Sequence, residues 1–378
     1  MNYRNRIENL RKHMEEAGVD AVLTPDNTAW EYLAGLPRLI RGSTPQRQNS
    51  LEFAGLLVTQ KEVTALSPRL TAMGFSWRME QFPEVGRLVL YPDADMDGAL
   101  FDAEISAQGL AGKRIGVIRD VSARAVLRLT DRHGCRCIDF SDELDAMRQI
   151  KDEEEIALMR HASAVTDRIY EEILPMFLPG TPIRDIERET ERLIEVHGCS
   201  GPSFPPEILN YGPKDGGRLG MPYPFIDPDH SAACDIGVMY RGYCSDFGRT
   251  AFLREPGEEV RRACRLVQEA QAAALEAYVP GRTTCREMNE ACHGVMAEAG
   301  MDEYFIHRMG HGVGMDIHER PFMAEGEDTL MQPGMTFTDE PSLFVPGRFL
   351  VRLEDVVLCT EDGFEFLNRV TREPIVLG

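Results

Sequence analysis

The chain of 378 residues is 43% hydrophobic and 27% charged, which allows a sizeable core and, at this length, predicts two domains. Its 62 acidic residues outnumber the 41 basic ones, so a surface with a formal net charge of −21 should repel phosphate backbones and anionic lipid headgroups. Composition therefore argues against nucleic acid and membranes as partners, and because no apolar run approaches the ~18 residues of a spanning helix, we expect a cytoplasmic protein.

The first 150 residues alternate helical and strand-like segments, which is typical of an α/β domain. The predicted elements are helices over 4–17, 28–34 and 122–132, and strands over 19–24, 53–59, 62–66, 87–91 and 114–118. Either Asp26 or Asn27 can cap the second helix. This half does not gather acids, histidines and glycines into a plausible site, so we expect it to shape a cleft, a dimer contact, or both.

A domain boundary is predicted near residue 150, where the sequence M-R-Q-I-K-D-E-E-E-I opens a long helix. Asp152 and the three glutamates after it fall in the first turn, where the helix dipole stabilises negative charge. Beyond this point we expect an α+β domain with mainly antiparallel strands. Its predicted helices cover residues 152–173, 183–197, 257–278 and 284–299.

The first candidate site residues are Asp235 and Asp246, at the two ends of the segment D-I-G-V-M-Y-R-G-Y-C-S-D. If this segment is a hairpin that turns about Tyr240 and Arg241, the two aspartates face each other across its strands. Carboxylates opposed in this way, with Cβ atoms about 5 Å apart, repel each other unless a cation lies between them. The alternative is that one aspartate is an edge residue and the other pairs with Arg249.

Three histidines, His307, His311 and His318, fall within twelve residues that also contain three glycines. Glycine allows close approach of the backbone and positive φ, so we expect a tight turn that presents His311 to an ion. His307 and His318 could act beside it as hydrogen-bond donors or proton shuttles.

Two glutamates complete the set of candidate ligands. Glu340 precedes a proline, which lacks a backbone donor and should end the strand, leaving the carboxylate exposed to a cavity. Glu354 lies in F-L-V-R-L-E-D-V-V-L, interpreted as one strand in which Arg352 and Glu354 share a face. The neighbouring acids Asp339 and Asp355 compete as ligands, and for either segment alone an ion pair with an arginine is the alternative account.

Four carboxylates and one imidazole form an oxygen-rich ligand set suited to Mn²⁺, Fe²⁺, Co²⁺ or Zn²⁺. The set carries more negative charge than one ion requires. We therefore predict two divalent ions ~3.5–4 Å apart that activate a bridging water molecule and polarise a substrate carbonyl. The expected reaction is hydrolysis.

The order of these residues, D-x10-D, G-H-G-x-G-x-x-x-H-E, E-P and R-x-E, resembles the pita-bread metallopeptidases. That family includes aminopeptidase P, prolidase and methionine aminopeptidase, with creatinase as a metal-free relative. An α/β domain ahead of the catalytic domain is similar to the aminopeptidase P, prolidase and creatinase branch. The resemblance implies a homodimer in which a creatinase/prolidase-type, ribonuclease H-like α/β domain over 1–150 precedes an α+β pita-bread catalytic domain over 151–378.

The resemblance also implies how two metal ions would be held. Asp235 would bind one ion, and Asp246 and Glu354 would bridge both. His311 and Glu340 would bind the second ion. Manganese is the preferred metal in this interpretation, with cobalt, zinc or iron as alternatives.

Four residues have implied catalytic roles. Glu340 would act as general base by taking the proton of the attacking water. His307 and His318 would bind the substrate and stabilise the tetrahedral intermediate. Arg352 would orient the nearby carboxylates.

One departure from the family concerns substrate recognition. Prolidases and aminopeptidases P usually carry a histidine in a segment resembling G-x-N-x-x-x-P-H, but this chain has no histidine between His197 and His230. Arg218 falls nearest the expected position, where a guanidinium would favour a substrate carboxylate and could not shuttle protons. The alternative is a loop with an inserted residue that leaves Arg218 in solvent.

Three functions are compatible with this interpretation. The first is a dinuclear metallohydrolase that cleaves Xaa-Pro bonds in dipeptides or at the N-terminus of short peptides, as prolidase and aminopeptidase P do. The second is a metal-dependent hydrolase of a small non-peptide amide or amidine, motivated by the altered segment around Arg218. The third is a catalytically silent binding module on the same fold, which is disfavoured because all five ligand positions are occupied.

Overall fold

The computed structural model describes residues 1–38, 53–92, 97–213 and 223–378. It divides into two compact units, Met1–Arg148 and Gln149–Gly378, and we infer that these units are the two predicted domains. No helix within the described ranges is both long enough and apolar enough to cross a membrane.

The amino-terminal unit is built on a six-stranded mixed sheet. Its helices are α1 (Tyr3–Ala17), α2 (Thr28–Ala34), α3 (Arg69–Ala72), α4 (Ala99–Ala107), α5 (Ala123–His133) and α6 (Ser141–Gln149). Its strands are β1 (Ala21–Pro25), β2 (Gly55–Thr59), β3 (Val63–Pro68), β4 (Arg87–Tyr91), β5 (Arg114–Val117) and β6 (Arg136–Asp139). They pair in the order β4-β3-β2-β1-β5-β6, and the β3–β4, β1–β5 and β5–β6 pairs are parallel.

The predicted helices and strands of this unit are confirmed, with ends shifted by one or two residues. Asn27 rather than Asp26 caps α2, because its side-chain oxygen accepts a hydrogen bond from the Ala29 amide at 2.9 Å. The elements α3, α4, β6 and α6 were not predicted. In β6 both end residues, Arg136 and Asp139, are exposed and charged, so this four-residue strand lacks the alternation on which the prediction relied.

The carboxyl-terminal unit contains four long helices and fourteen strands among its described residues. The helices are α7 (Glu153–Ile173), α8 (Ile183–Val196), α9 (Glu258–Glu276) and α10 (Cys285–Glu298). The strands are β7 (Gly201–Pro202), β8 (Glu207–Tyr211), β9 (Ser231–Ile236), β10 (Val238–Tyr240), β11 (Tyr243–Cys244), β12 (Phe247–Phe252), β13 (Gly310–Gly312), β14 (Glu319–Met323), β15 (Thr336–Asp339), β16 (Ser342–Val345), β17 (Phe349–Arg352), β18 (Glu354–Thr360), β19 (Gly363–Phe366) and β20 (Ile375–Val376). The four helices agree with the prediction, and α7 begins with the expected acidic turn, in which Asp152 and Glu155 form a capping box.

The centre of this unit is a large, mainly antiparallel sheet with the strand order β14-β13-β15-β18-β12-β9-β8. Alternate residues of β9, Ala232, Cys234 and Ile236, pack with α7 and α8 in one core cluster. The residue between the last two, Asp235, points to the other face. The predicted α+β architecture is thereby confirmed, and one face of the sheet is left for the candidate site.

The segment F-L-V-R-L-E-D-V-V-L was predicted as one strand, and that prediction is wrong. The chain changes partners at Leu353, where β17 leaves its hairpin with β16 and β18 joins β15 and β12 in the large sheet. At this point the Leu353 amide donates to the Pro341 carbonyl at 3.3 Å. Arg352 and Glu354 therefore belong to different strands.

Candidate metal centre

The hairpin that carries the two aspartates turns at Arg241 and Gly242, not at Tyr240 and Arg241 as predicted. Both turn residues have positive φ, 48° and 88°, as a two-residue type I′ turn requires. Glycine adopts such a conformation more readily than tyrosine, so the turn chemistry sets the register. As a result Asp235 pairs with Gly248 in the β9–β12 ladder, and Asp246 is a diagonal neighbour of Asp235.

Three carboxylates still converge on the open face of the sheet. Glu354 of β18 pairs with Gly248 from the other side, so Asp235 and Glu354 flank a residue that has no side chain. A Cβ atom at Gly248 would lie 2.7 Å from Glu354 Oε2, so glycine keeps this space free. Ligand oxygens of Asp235, Asp246 and Glu354 all lie within 4.8 Å of one another.

These carboxylates are crowded and poorly compensated. Asp246 and Glu354 are only 3% and 2% exposed, and Glu354 Oε2 has no hydrogen-bond partner. Burial, followed by repulsion from the neighbouring acids, raises the pKa of both groups well above their usual values. Arg352 contacts Asp235 and lies 3.9 Å from Glu354 Oε2, but one guanidinium cannot balance the whole cluster.

His311, in strand β13, lies next to the carboxylate cluster and adds a nitrogen ligand to it. Its Nδ1 lies 3.1 Å from the Gly312 carbonyl, which can only accept, so Nδ1 carries the hydrogen. The lone pair of Nε2 therefore faces Asp246 Oδ2 at 3.5 Å and Glu340 Oε1 at 3.3 Å. Burial is the main cause that lowers the pKa of His311 to about 3, so the imidazole is neutral and able to bind a cation.

The prediction that His311 sits in a tight turn is wrong, because it occupies the short strand β13. Neither neighbouring glycine has positive φ. Instead, a Cβ atom at Gly310 would lie 1.7 Å from the Thr338 carbonyl, and one at Gly312 would lie 2.6 Å from the Glu319 carbonyl. The glycines thus allow two adjacent strands to approach the histidine backbone closely.

Glu340 lies directly after β15, which ends at Asp339 as the following proline predicted. Thr338 Oγ1 donates to Glu340 Oε1 at 3.1 Å and helps to orient the carboxylate. Burial is the largest cause that raises the pKa of Glu340 to about 7, while Arg352 opposes the rise. A carboxylate with such a pKa can exchange a proton near neutral pH.

The competing acids, Asp339 and Asp355, point to the helix-covered face of the sheet. They pair with each other in the β15–β18 register. Asp355 is held there by Arg249 at 2.6 Å and by Arg372 at 3.0 Å. Arg249 therefore does not pair with Asp235, and strand alternation assigns Glu354 rather than Asp355 to the site.

The two flanking histidines are placed differently. His307 is partly buried, and its Nδ1 donates to the Arg308 carbonyl at 2.7 Å while Nε2 lies 2.5 Å from Ser342 Oγ. Burial lowers its pKa to about 4, so Nε2 accepts the hydroxyl hydrogen. His318 is exposed, and its ring meets that of His311 edge-on with centroids 4.1 Å apart.

The glutamate of the H-E motif, Glu319, supports this region through a buried ion pair. Its Oε1 lies 2.8 Å from Lys151 Nζ, and the two side chains are 6% and 2% exposed. The partners are 168 positions apart in the chain. The pair ties the start of α7 to β14, beside the strand that carries His311.

Replacing Glu319 with alanine is expected to lower the free energy of unfolding by about 3–5 kcal/mol, because the Lys151 ammonium would stay buried without its partner. Urea unfolding with metal held constant measures the change. Glu290→Ala is the matched control, since it removes an exposed ion pair with Arg286 and should cost less than about 1 kcal/mol. Equal losses in the two variants would contradict the proposed role of the buried pair.

Arg218 lies outside the described residues, so its predicted place near the substrate stays a prediction. Sequence analysis missed Glu207 of β8, which pairs with Asp235 and shares its face of the sheet. The residue is exposed as a whole, but partial burial of its carboxyl group, followed by the charge of Asp235, raises the pKa of Glu207. Glu207 is identified only by the pairing of β8 with β9, and the local sequence around Glu207 does not reveal that pairing.

The residues present fit divalent cations. Asp235, Asp246, Glu354 and Glu340 carry four negative charges when ionised, against one from Arg352, and His311 offers a neutral lone pair. Oxygen ligands with one imidazole suit hard or intermediate divalent ions. A buried carboxylate oxygen without a hydrogen-bond partner, Glu354 Oε2, lies within this set. Such a cluster is unfavourable unless cations neutralise it.

Comparison with known proteins places the chain in a family. The sequence matches the Creatinase/Prolidase N-terminal domain over residues 6–150 and Metallopeptidase family M24 over residues 157–361. It is 35% identical over 273 residues to the probable dipeptidase PepE of Mycobacterium tuberculosis, covering 69% of each chain. It is also 26% identical over 377 residues to the Xaa-Pro dipeptidase of Pyrococcus horikoshii, covering 98% of each.

The fold agrees with this assignment. The crystal structure of prolidase from Thermococcus sibiricus superposes with a TM-score of 0.88 at 28% identity, over 100% of both chains. The predicted resemblance to the pita-bread enzymes is confirmed. The chain belongs to metallopeptidase family M24, and it is a hydrolase in which a creatinase/prolidase-type domain precedes a pita-bread catalytic domain that uses divalent metal ions.

Proposed function

We propose that this metallopeptidase cleaves Xaa-Pro bonds in short peptides with two divalent metal ions per chain. The observation that carries the proposal is the convergence of three carboxylates within 4.8 Å, beside a neutral histidine whose Nε2 faces two acids. The Xaa-Pro specificity is supported by the named activity of the Pyrococcus horikoshii relative, which matches this chain over nearly its full length.

Five residues would hold the metals. Asp235 would bind one ion, His311 and Glu340 the other, and Asp246 and Glu354 both. When bound, the ions would lower the pKa of a water molecule and polarise the scissile carbonyl. We propose manganese as the bound metal. The same ligands also accept cobalt, zinc and iron, and the cellular supply of metal decides which ion is bound.

Glu340 is the proposed general base. Its Oε1 lies 3.3 Å from His311 Nε2, beside the carboxylate cluster, and an ionised carboxylate in that place can take the proton of the attacking water. The hydrogen bond from Thr338 to Oε1 holds one oxygen, so the other can face the water. The same carboxyl group would then deliver the proton to the leaving nitrogen.

The surrounding residues position the substrate. His318 is exposed beside His311 and can donate to the carbonyl oxygen on which negative charge develops. The hydrogen bond between His307 and Ser342 fixes the imidazole ring at the edge of the site, where the ring can contact the substrate. Arg352 contacts Asp235 and orients it within the cluster. The homodimer implied by the resemblance remains part of the proposal.

A hydrolysis screen tests the function. The manganese-loaded protein is expected to release proline from Xaa-Pro dipeptides at least about tenfold faster than it cleaves matched Xaa-Ala dipeptides, which corresponds to about 1.4 kcal/mol of discrimination. Longer Xaa-Pro peptides and small non-peptide amides complete the panel. Cleavage of the amides with none of the Xaa-Pro peptides would reject the proposal in favour of the amide hydrolase.

A further inference from the structure

Glu207 lies beside the proposed metal centre, on the edge strand β8. Its neighbour Ile208 pairs with Cys234, and both are buried in the core cluster on the helix-covered face of the sheet. Because side chains alternate along a strand, Glu207 points to the other face, directly across from Asp235. Adjacent strands are ~4.8 Å apart, so Glu207 lies one strand spacing from a proposed metal ligand.

The Glu207 carboxylate lacks a cationic partner. Among the residues that the structure describes, it forms no ion pair. The acids nearest to it are already paired, since Asp235 contacts Arg352 and Glu187 of α8 lies 2.9 Å from Arg184. Like charges directly opposite each other on a sheet are destabilising, so the pairing of Glu207 with Asp235 favours a bound cation.

The proposed mechanism determines which part of a substrate lies on this side of the site. Glu340 would deliver a proton to the leaving nitrogen, and its Oε1 lies 3.3 Å from His311 Nε2, so the leaving proline lies toward β13 and β15. In the strand order β13-β15-β18-β12-β9-β8, Asp235 and Glu207 lie on the opposite side. The N-terminal residue of the substrate, which supplies the scissile carbonyl, therefore lies toward β9 and β8.

Distance separates the two positive charges that this N-terminal residue can carry. Its α-ammonium nitrogen is two bonds from the scissile carbonyl carbon, or about 2.5 Å, so it stays close to Asp235 and the metal ions. The side chain of lysine or arginine carries its charge at the end of a long stem. Such a stem can cross the further strand spacing of ~4.8 Å to β8.

An apolar surface lies next to the carboxylate. Leu209, two positions along β8, points to the same face as Glu207 and packs against a small cluster that contains Tyr211 and Phe344. Lysine and arginine side chains combine an apolar stem with a charged end. The edge of the site offers a matching contact for each of these two parts.

We propose that Glu207 binds the side-chain cation of an N-terminal lysine or arginine and thereby makes this peptidase prefer Lys-Pro and Arg-Pro bonds. The inference rests on the proposed peptidase function and specifies the first residue of its substrate. A carboxylate forms charge-assisted hydrogen bonds with an ammonium or a guanidinium group. A neutral side chain at this position loses that interaction.

The test compares lysyl-proline with norleucyl-proline, whose side chain has the same four-carbon stem but no ammonium group. The manganese-loaded enzyme is expected to hydrolyse lysyl-proline with a kcat/KM about tenfold higher, mainly through a lower KM. Glu207→Gln keeps the shape of the side chain and removes its charge, so this ratio should fall to about one. Glu207→Lys should reverse the preference in favour of glutamyl-proline.

Glu187→Gln is the matched control, because it removes a nearby negative charge that is already paired with Arg184. Its ratio of lysyl-proline to norleucyl-proline hydrolysis should equal that of the wild-type chain. A wild-type ratio near one would overturn the assignment. So would a Glu207→Gln variant that loses activity on both substrates by the same factor, because the carboxylate would then bind the shared α-ammonium or support the fold.

Lysyl-alanine and norleucyl-alanine, assayed in parallel, separate this inference from the proposed function. Cleavage of the alanine substrates but not of the proline substrates would overturn the proline specificity, and the ratio of lysyl to norleucyl hydrolysis would still decide the role of Glu207. A manganese-loaded chain that cleaves neither series would overturn the peptidase function and this assignment together.

Discussion

Asp246→Asn is expected to lower the rate of peptide hydrolysis by about a thousandfold or more, or roughly 4 kcal/mol of transition-state stabilisation. Asparagine keeps the shape of the side chain but removes the charge of a residue proposed to bind both ions. Asp246 Oδ2 lies 3.5 Å from His311 Nε2, and the side chain is almost fully buried, so solvent cannot replace the lost ligand. Steady-state kinetics with metal in excess measures the loss.

The fold should survive this substitution. In metal-free protein the neutral side chain removes a charge that its acidic neighbours repel, so the unfolding midpoint should equal or exceed that of the metal-free wild-type chain. Asp229→Asn is the matched control, because Asp229 forms an exposed ion pair with Arg254 just before β9. It should keep wild-type activity. Unfolding of Asp246→Asn under conditions where the control is folded would contradict a role confined to the metal centre.

Removal of metal is expected to destabilise the protein increasingly as the pH rises. The pKa of Glu340 is about 7 in the folded chain, against an ordinary value of 4.5, and those of Asp246 and Glu354 are also raised. Between pH 4.5 and about pH 7, the folded chain keeps a proton on Glu340 that the unfolded chain has released. The free energy of unfolding of the metal-free chain therefore falls as the pH rises. For Glu340 alone the loss is about 3 kcal/mol, which corresponds to roughly 10 °C in the unfolding midpoint.

Bound metal should reverse this dependence, because ions replace the protons and bind only the deprotonated ligands. Thermal unfolding is measured at pH 5, 6, 7 and 8, with chelator and with added Mn²⁺. The difference between the two midpoints should grow with pH. In Asp246→Asn the pH dependence of the metal-free midpoint should be weaker. A chelator effect of the same size at every pH would count against a cluster of repelling carboxylates.

The order of the motifs predicted which residues meet, but not how the strands bring them together. Asp235, Asp246 and Glu354 were identified because charged residues stand out in apolar segments. Their pairing was wrong in detail, because the positive φ values at Arg241 and Gly242 moved the turn by one residue and the paired register by two. The converging side chains tolerate that shift, since diagonal neighbours on one face remain within reach.

Other features depend on contacts between distant segments. Two facts identify Glu354 rather than Asp355 as the candidate metal ligand. Side chains alternate along β18, and Arg249 forms an ion pair with Asp355 on the helix-covered face of the sheet. The ion pair of Lys151 with Glu319 joins residues that no local pattern relates.

Metal analysis of the purified protein tests the central claim most directly. After loading with Mn²⁺ and dialysis against metal-free buffer, elemental analysis is expected to find two divalent ions per wild-type chain and at most one in Asp246→Asn. The Asp229→Asn control should also retain two. A wild-type chain that retains almost no metal, or an Asp246→Asn variant that retains two ions, would contradict the proposed two-metal centre.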